Sequence, residues 1–165
     1  MRARFTVWER WTDREHLPGL EFPGVYVLAI SRAKLPGRLF SWRRDIVYVG
    51  MTNAATGLAG RLKQFDLTIS GKRLAHGGAD RMRLRHRSYR RLVGHLFVAV
   101  WSARRDLNAN AAGDLRLMGR VAQLEYDCLA EYVGRFQSLP QFNDKLKAPK
   151  YSRHARAGAA RLGLD

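Results

Sequence analysis

The stretch "GVYVLAI" at residues 24–30, taken together with "DIVYVG" at residues 45–50, decides the fold. In the first, Val25, Val27 and Ala29 alternate with Tyr26, Leu28 and Ile30, the two-residue period of a strand with both faces covered, and Pro23-Gly24 marks its start. The second ends on Tyr-Val-Gly, the mirror of the Gly-Val-Tyr that opens the first, and Pro36-Gly37 breaks the chain between them. If the two strands pair antiparallel, the start of one lies beside the end of the other. A register with Gly24 opposite Gly50 sets Tyr26 opposite Tyr48, and cross-strand partners share a sheet face. Two phenols then stand at one end of a hairpin, beside glycines that let another group approach the backbone. On their own such residues read equally well as two sheet tyrosines with hydroxyls in water.

Working outward, "HLFVAVWS" at 95–102 follows Gly94 and reads as a third buried strand, placed centrally. Between the second and third strands "TGLAGRLKQF" sets Leu58, Leu62 and Phe65 at helical spacing, with Thr56 as the N-cap. Residues 115–133 carry the longest apolar helical pattern. The fold class expected is α+β, a small three-stranded antiparallel sheet flanked by helices. The division expected is an N-terminal extension at 1–21, one domain at 22–146 with a lengthened connection at 31–45, and a basic tail at 147–165, both ends being peripheral.

The 165 residues carry thirty Lys and Arg, 24 of them Arg, against fourteen Asp and Glu, for a formal charge of +16 and a pI near 11.1. That balance points to a polyanionic partner, most simply nucleic acid. A single cysteine, Cys128, excludes an internal disulfide and a multi-cysteine zinc site. No run approaches membrane-spanning length and the first residues carry no apolar leader pattern, so a cytoplasmic location and no membrane partner are expected.

Glu125 is the most informative single residue of the helical stretch. At about 100° per residue Met118, Val121, Cys128, Leu129 and Tyr132 flank it, while Asp127 and Glu131 point away. A carboxylate within an apolar stripe needs a cation, a strong donor or a metal to remain charged. A core Glu paired with an arginine satisfies the same demand.

The words "GVY" and "YVG" resemble the two halves of the GIY-YIG nuclease signature. Further family positions follow in order: Arg61 in "GRLKQF", His76 in "LAHGG", Glu125 in "QLEYDCL" and Asn143 in "QFND". The resemblance spans roughly residues 22–146 and implies a one-metal phosphodiesterase site on a small antiparallel sheet. It departs from the family at Met51, where some relatives carry Lys, and at Phe65, where several carry His. The connection at 31–45 is also longer than the family's usual one, and it is either a hairpin that touches DNA or a basic solvated loop.

Under that resemblance the catalytic set is Tyr26, Tyr48, Arg61, His76, Glu125 and Asn143. Glu125 would hold one Mg²⁺ or Mn²⁺, an ion that keeps several waters and leans on substrate oxygens, whereas Asp45 and Asp66 are poorly placed as further ligands. Arg61 would neutralise the phosphate at the transition state. Tyr48 is the first choice for the base that activates water, with Tyr26 assisting, provided nearby positive charge lowers the phenol pKa. His76, before a Gly77-Gly78 turn, would relay a proton or contact phosphate, and Asn143 would brace the site or simply occupy a turn.

Residues 72–91 carry eight Lys or Arg against one acid. With Arg43, Arg44 and Lys63, this stretch supplies the expected phosphate contacts through Lys72, Arg73, Arg81, Arg83, Arg85 and Arg87, while Trp42 and Tyr89 are available to stack on bases. The expected function is therefore a metal-dependent endonuclease that hydrolyses phosphodiester bonds, with DNA the expected substrate. The rivals are a nucleic-acid-binding module without activity and a basic ribonucleoprotein component. Monomer and homodimer both remain open.

Overall fold

The computed structural model describes residues 4–73, 76–104 and 111–161. Its sheet has four antiparallel strands, β1 (Glu9–Arg10), β2 (Gly24–Ile30), β3 (Ile46–Thr52) and β4 (Leu96–Ser102), in the order β1-β4-β2-β3. The three expected strands are present, and a two-residue strand from the N-terminal segment is added at the β4 edge. The run at 95–102 forms β4, which with β2 is one of the two interior strands, paired with β1 on one side and β2 on the other. The helices are α1 (Gly57–Ile69), α2 (Gly77–Arg85), α3 (Tyr89–Val93), α4 (Ala112–Phe136) and α5 (Tyr151–Arg161), with a 3-10 helix at Trp11–His16. Among the described residues no helix is long and apolar enough to cross a membrane.

The hairpin is antiparallel, but its register differs by two residues from the mirrored-word pairing. Gly24 faces Thr52, Tyr26 faces Gly50 and Leu28 faces Tyr48. An even displacement preserves the face, so both tyrosines still point the same way. The reason is bulk: a Cβ on Gly50 would lie 2.7 Å from the rings of both Tyr26 and Tyr48. The glycine gives the two rings the space a side chain opposite Tyr26 would fill.

Alternation in β2 divides the core in two. Tyr26 and Leu28 pack with Tyr48, Leu58, Leu62 and Phe65 beneath α1 and α2. Val25, Val27 and Ala29 pack on the other face with Val49, Ala99, Val121, Cys128 and Tyr132 beneath α4. Thr56 stands at the N-cap of α1 but its side chain caps nothing.

The first residues are not peripheral. Trp8 and Trp11 are fully buried, one in each half of the core. The connection at 31–45 is tied to the core at several points, although Arg32, Ala33, Lys34, Arg38 and Leu39 are exposed. Leu35 is fully buried, Phe40 stacks on Phe5 and Trp8 with centroids 4.5 and 5.4 Å apart, and Gly37 N–H donates to the Trp8 carbonyl at 2.9 Å. Trp42 meets Phe40 and Tyr132 edge-on, and the Tyr89 hydroxyl donates to Asp66 at 2.9 Å. Neither ring is the free base-stacking surface expected of it. At the C-terminal end α5 is docked by its first turn: Ser152 Oγ donates to the buried Asp80 at 2.6 Å, and the Arg83 guanidinium lies over the Tyr151 ring at 4.1 Å.

Candidate functional site

The tyrosines enter the site because strand alternation sends Tyr26 and Tyr48 to the face covered by α1 and α2. Their ring centroids are 5.9 Å apart, and Tyr26 is fully buried whereas Tyr48 retains 9% exposure. Phe65, where a histidine had been sought by resemblance, packs on both rings from α1. The histidine comes instead from α2. His76 lies against Phe65 with centroids 4.8 Å apart, and its Nε2 is 2.8 Å from the Tyr26 hydroxyl.

The segment after His76 is a helix start rather than a glycine turn. His76 is the N-cap of α2, and its Nδ1 accepts the Ala79 N–H at 3.3 Å. Gly78 permits the close fit, since a Cβ there would lie 2.3 Å from the Tyr48 ring. Burial, with Arg61 and Arg81 nearby, lowers the His76 pKa to about 3, so the ring is neutral at physiological pH. With Nδ1 accepting, the network assigns the one proton to Nε2. His76 therefore donates to the Tyr26 oxygen. It has no free nitrogen on that side with which to take a proton.

Arg61 is the common neighbour of the whole group. Its charge acts on Tyr26, Tyr48, His76 and Glu125 alike. It projects from the partly covered side of α1, with Nη1 donating to Gln64 Oε1 at 2.8 Å and Nε buried without a partner. An unmatched guanidinium N–H is costly, and an anionic oxygen delivered to it would relieve that cost.

Glu125 reaches the group from α4 around the β3 edge. It is half-buried rather than at the centre of a dry stripe. Desolvation raises its pKa, opposed by Arg61 and by the Met51 backbone amide beside the carboxylate. Among the described residues it has no ion-pair partner, so the reading of a core Glu paired with an arginine does not hold. A half-desolvated carboxylate without a paired cation suits a hard divalent ion that retains waters. Among the described residues no three His, Cys, Asp or Glu side chains gather, so any such ion would rest on Glu125 and on non-protein oxygens.

Both phenols are raised above their ordinary pKa, chiefly by burial. Arg61 pulls both down without overcoming that cost, so the lowering expected from sequence is not reached by protein charge alone. His76 holds the Tyr26 hydroxyl at the buried end, and Tyr48 is the solvent-side phenol of the pair.

Asn143 braces the site without entering it. Its amide donates to the Val49 carbonyl and accepts the Val49 N–H, both at 2.8 Å, closing the outer edge of β3 next to Tyr48 and Gly50. Asp45 and Asp66 are engaged elsewhere. Asp45 pairs with Arg43, while Asp66 accepts Trp11 Nε1 at 2.7 Å and Tyr89 and pairs with Arg14 at 3.5 Å.

The basic residues expected to contact phosphate divide into four groups. Arg43 is held by Asp45 and Ser31, Arg44 lies over Phe136, and Arg83 over Tyr151. Lys63 and Arg73 line a depression of about 380 Å³ together with Arg61, while Lys72 is exposed nearby in sequence. Arg85 and Arg87 line a separate cleft of about 830 Å³. Arg81 was read as a surface contact but is buried, with Nη1 donating to the Phe142 carbonyl at 3.3 Å and its charge lowering both Tyr48 and His76. The signal for it was available: Arg81 is one helical turn beyond Gly77 and shares its face.

Compared with known proteins, the chain matches no family model, no curated protein and no solved structure.

Proposed function

We propose that the chain is a metal-dependent endonuclease of the GIY-YIG type that hydrolyses phosphodiester bonds, with DNA as the expected substrate. The observation that carries the reading is convergence. Tyr26, Tyr48, His76 and Glu125 come from four separate segments and all lie in the field of one guanidinium, Arg61. A purely structural core has no use for two phenols, a neutral histidine, a carboxylate and an unmatched guanidinium N–H together.

Arg61, which lines the 380 Å³ depression, presents its guanidinium to a phosphate and neutralises charge as the phosphorus becomes five-coordinate. Tyr48, the outer phenol, acts as its phenolate after releasing its own proton to solvent, and Arg61 and Arg81 stabilise that charge until it takes the proton of the attacking water. His76 fixes Tyr26 by donating to its oxygen. A divalent ion on Glu125 would polarise the scissile phosphate and stabilise the leaving oxyanion. Asn143 keeps β3, and with it Tyr48, in place.

The second reading is a nucleic-acid-binding module without activity. It draws on the elevated pKa of both tyrosines, which leaves each a poor base in the protein alone. The two readings part on plasmid, single-stranded DNA and RNA incubated with Mg²⁺ or with chelator. Mg²⁺-dependent cleavage is expected, and Glu125→Gln should abolish it while salt-sensitive binding persists. Cleavage unchanged in E125Q would remove the metal assignment, and no cleavage of any substrate by the unaltered protein would favour the binding module.

A further inference from the structure

At the end of α2 remote from His76 the chain forms a cleft of about 830 Å³ that the proposed chemistry does not use. Four segments build it: the exit of β2, the last turn of α2, the loop into α3 with α3 itself, and the residue preceding β4. Its polar lining includes Arg32, Arg85, Arg87 and Arg91 with His86 and His95, and no Asp or Glu lines it. Among the described residues none of those four guanidiniums has a carboxylate partner. This is unlike Arg14, Arg43 and Arg135, each of which is matched by an acid.

Four unmatched guanidiniums around one concavity repel one another, and screening by salt only softens that cost at such short range. An anion with several charged oxygens reverses the sign, and the planar fork of Arg suits phosphate better than any other common anion besides carboxylate. Burial and Arg85 hold His86 below the ordinary histidine range, so at neutral pH it contributes a neutral hydrogen-bonding ring and the guanidiniums supply the charge.

The position indicates which phosphate source fits. α2 starts from its N-cap His76 beside the Tyr48 centre and ends at Arg85 in the cleft, so the two sites lie at opposite ends of one helix. Nine helical residues cover about 13 Å. That is the rise of about four nucleotides of one strand. The choice of a strand over a small anion rests on the nucleic-acid reading proposed above, since a polymer bound at the tyrosines must leave the site in some direction.

We propose that this cleft is a second phosphate-binding site that holds the backbone of a nucleic-acid strand several nucleotides from the Tyr48–Arg61 centre. Contacts of this kind carry affinity and direction rather than sequence information.

The test reads binding in chelator, so its outcome stands apart from whether the protein cleaves. Arg32 and Arg91 are exposed, and neither is engaged in folding contacts through its guanidinium. The double variant Arg32→Ala/Arg91→Ala is compared with Arg116→Ala/Arg120→Ala, which removes the same charge from the exposed side of α4. Binding of a labelled 24-base-pair duplex is followed by anisotropy over a salt series. The R32A/R91A protein should lose about 2 from the slope of log K against log salt, the value for two phosphate contacts, with the α4 control nearly unchanged. Equal slopes in all three proteins, or equal losses in both variants, would overturn the proposal. Inorganic phosphate, titrated by thermal shift, distinguishes the sources. A stabilisation abolished in R32A/R91A while the duplex slope is retained would assign the cleft to a free anion and end the strand reading.

Discussion

The two faces of the sheet are made by the same strands and have opposite characters. Beneath α4, Val25, Val27, Ala29, Val49 and Val121 form a dry interior whose one thiol, Cys128, is pushed by burial to a pKa of about 12 and is inert. Beneath α1 and α2 the neighbouring residues Tyr26 and Tyr48 carry hydroxyls into a layer that also holds His76, Arg61 and Arg81. Since strand neighbours alternate faces, a single strand supplies scaffold and chemistry at once. Rigidity gained on one face positions polar groups on the other, which allows buried phenols to keep a defined hydrogen-bond order.

That division is broken most severely at Gly50. A methyl group there meets the rings of both tyrosines at 2.7 Å, so Gly50→Ala should cost about 1–3 kcal/mol by overpacking and displace Tyr48 from Arg61. Denaturant unfolding and cleavage assays should fall together. Val27→Ala acts on the other face alone. It should lower stability by roughly 2 kcal/mol through lost burial and a small cavity, yet leave the cleavage rate of the folded protein unchanged. A V27A protein that is stable but inactive would mean the two faces are not separable.

A third perturbation tests the buried histidine through pH. The folded-state pKa of His76 is about 3, below the ordinary value of 6.5, so between those values the unfolded chain binds more protons than the folded one. Its contribution is fully present above about pH 6.5 and is lost as pH falls toward 3. Thermal unfolding should therefore show a Tm that declines through this window, and the decline should be shallower in His76→Gln. An identical pH profile in H76Q would show that the ring is not held neutral by its surroundings.

The sequence made the three long strands, α1 and α4 legible, because periodicity is a local signal, whereas β1 at Glu9–Arg10 is too short to carry one. Glu125 stood out by its neighbours at helical spacing, although that spacing overstated how dry its surroundings are. Register was not legible, since it depends on whether the space opposite Tyr26 is empty, and that is settled by two rings meeting across strands. The role of Arg81 was hidden in a run of similar arginines, only some of which face inward. The burial of the N-terminal tryptophans and the anchoring of the 31–45 connection were not legible for one reason: irregular segments carry no period, and the contacts of Phe40 with Trp8 and Trp42 are tertiary ones that no local pattern announces.

Arg43 sharpens the comparison with the smallest expected effect. In a basic connection it reads as a phosphate contact, but its Nη2 donates to Asp45 Oδ2 at 2.8 Å and to Ser31 Oγ at 3.3 Å, beside the cleft that Ser31 lines. A partly exposed ion pair contributes about 0.2–1 kcal/mol. Arg43→Ala should therefore lower stability by no more than that, and the salt slope of duplex binding should match the unaltered protein, because a guanidinium already paired releases few counterions when nucleic acid arrives. A slope reduced by about 1 in R43A would place the 31–45 connection on the nucleic acid.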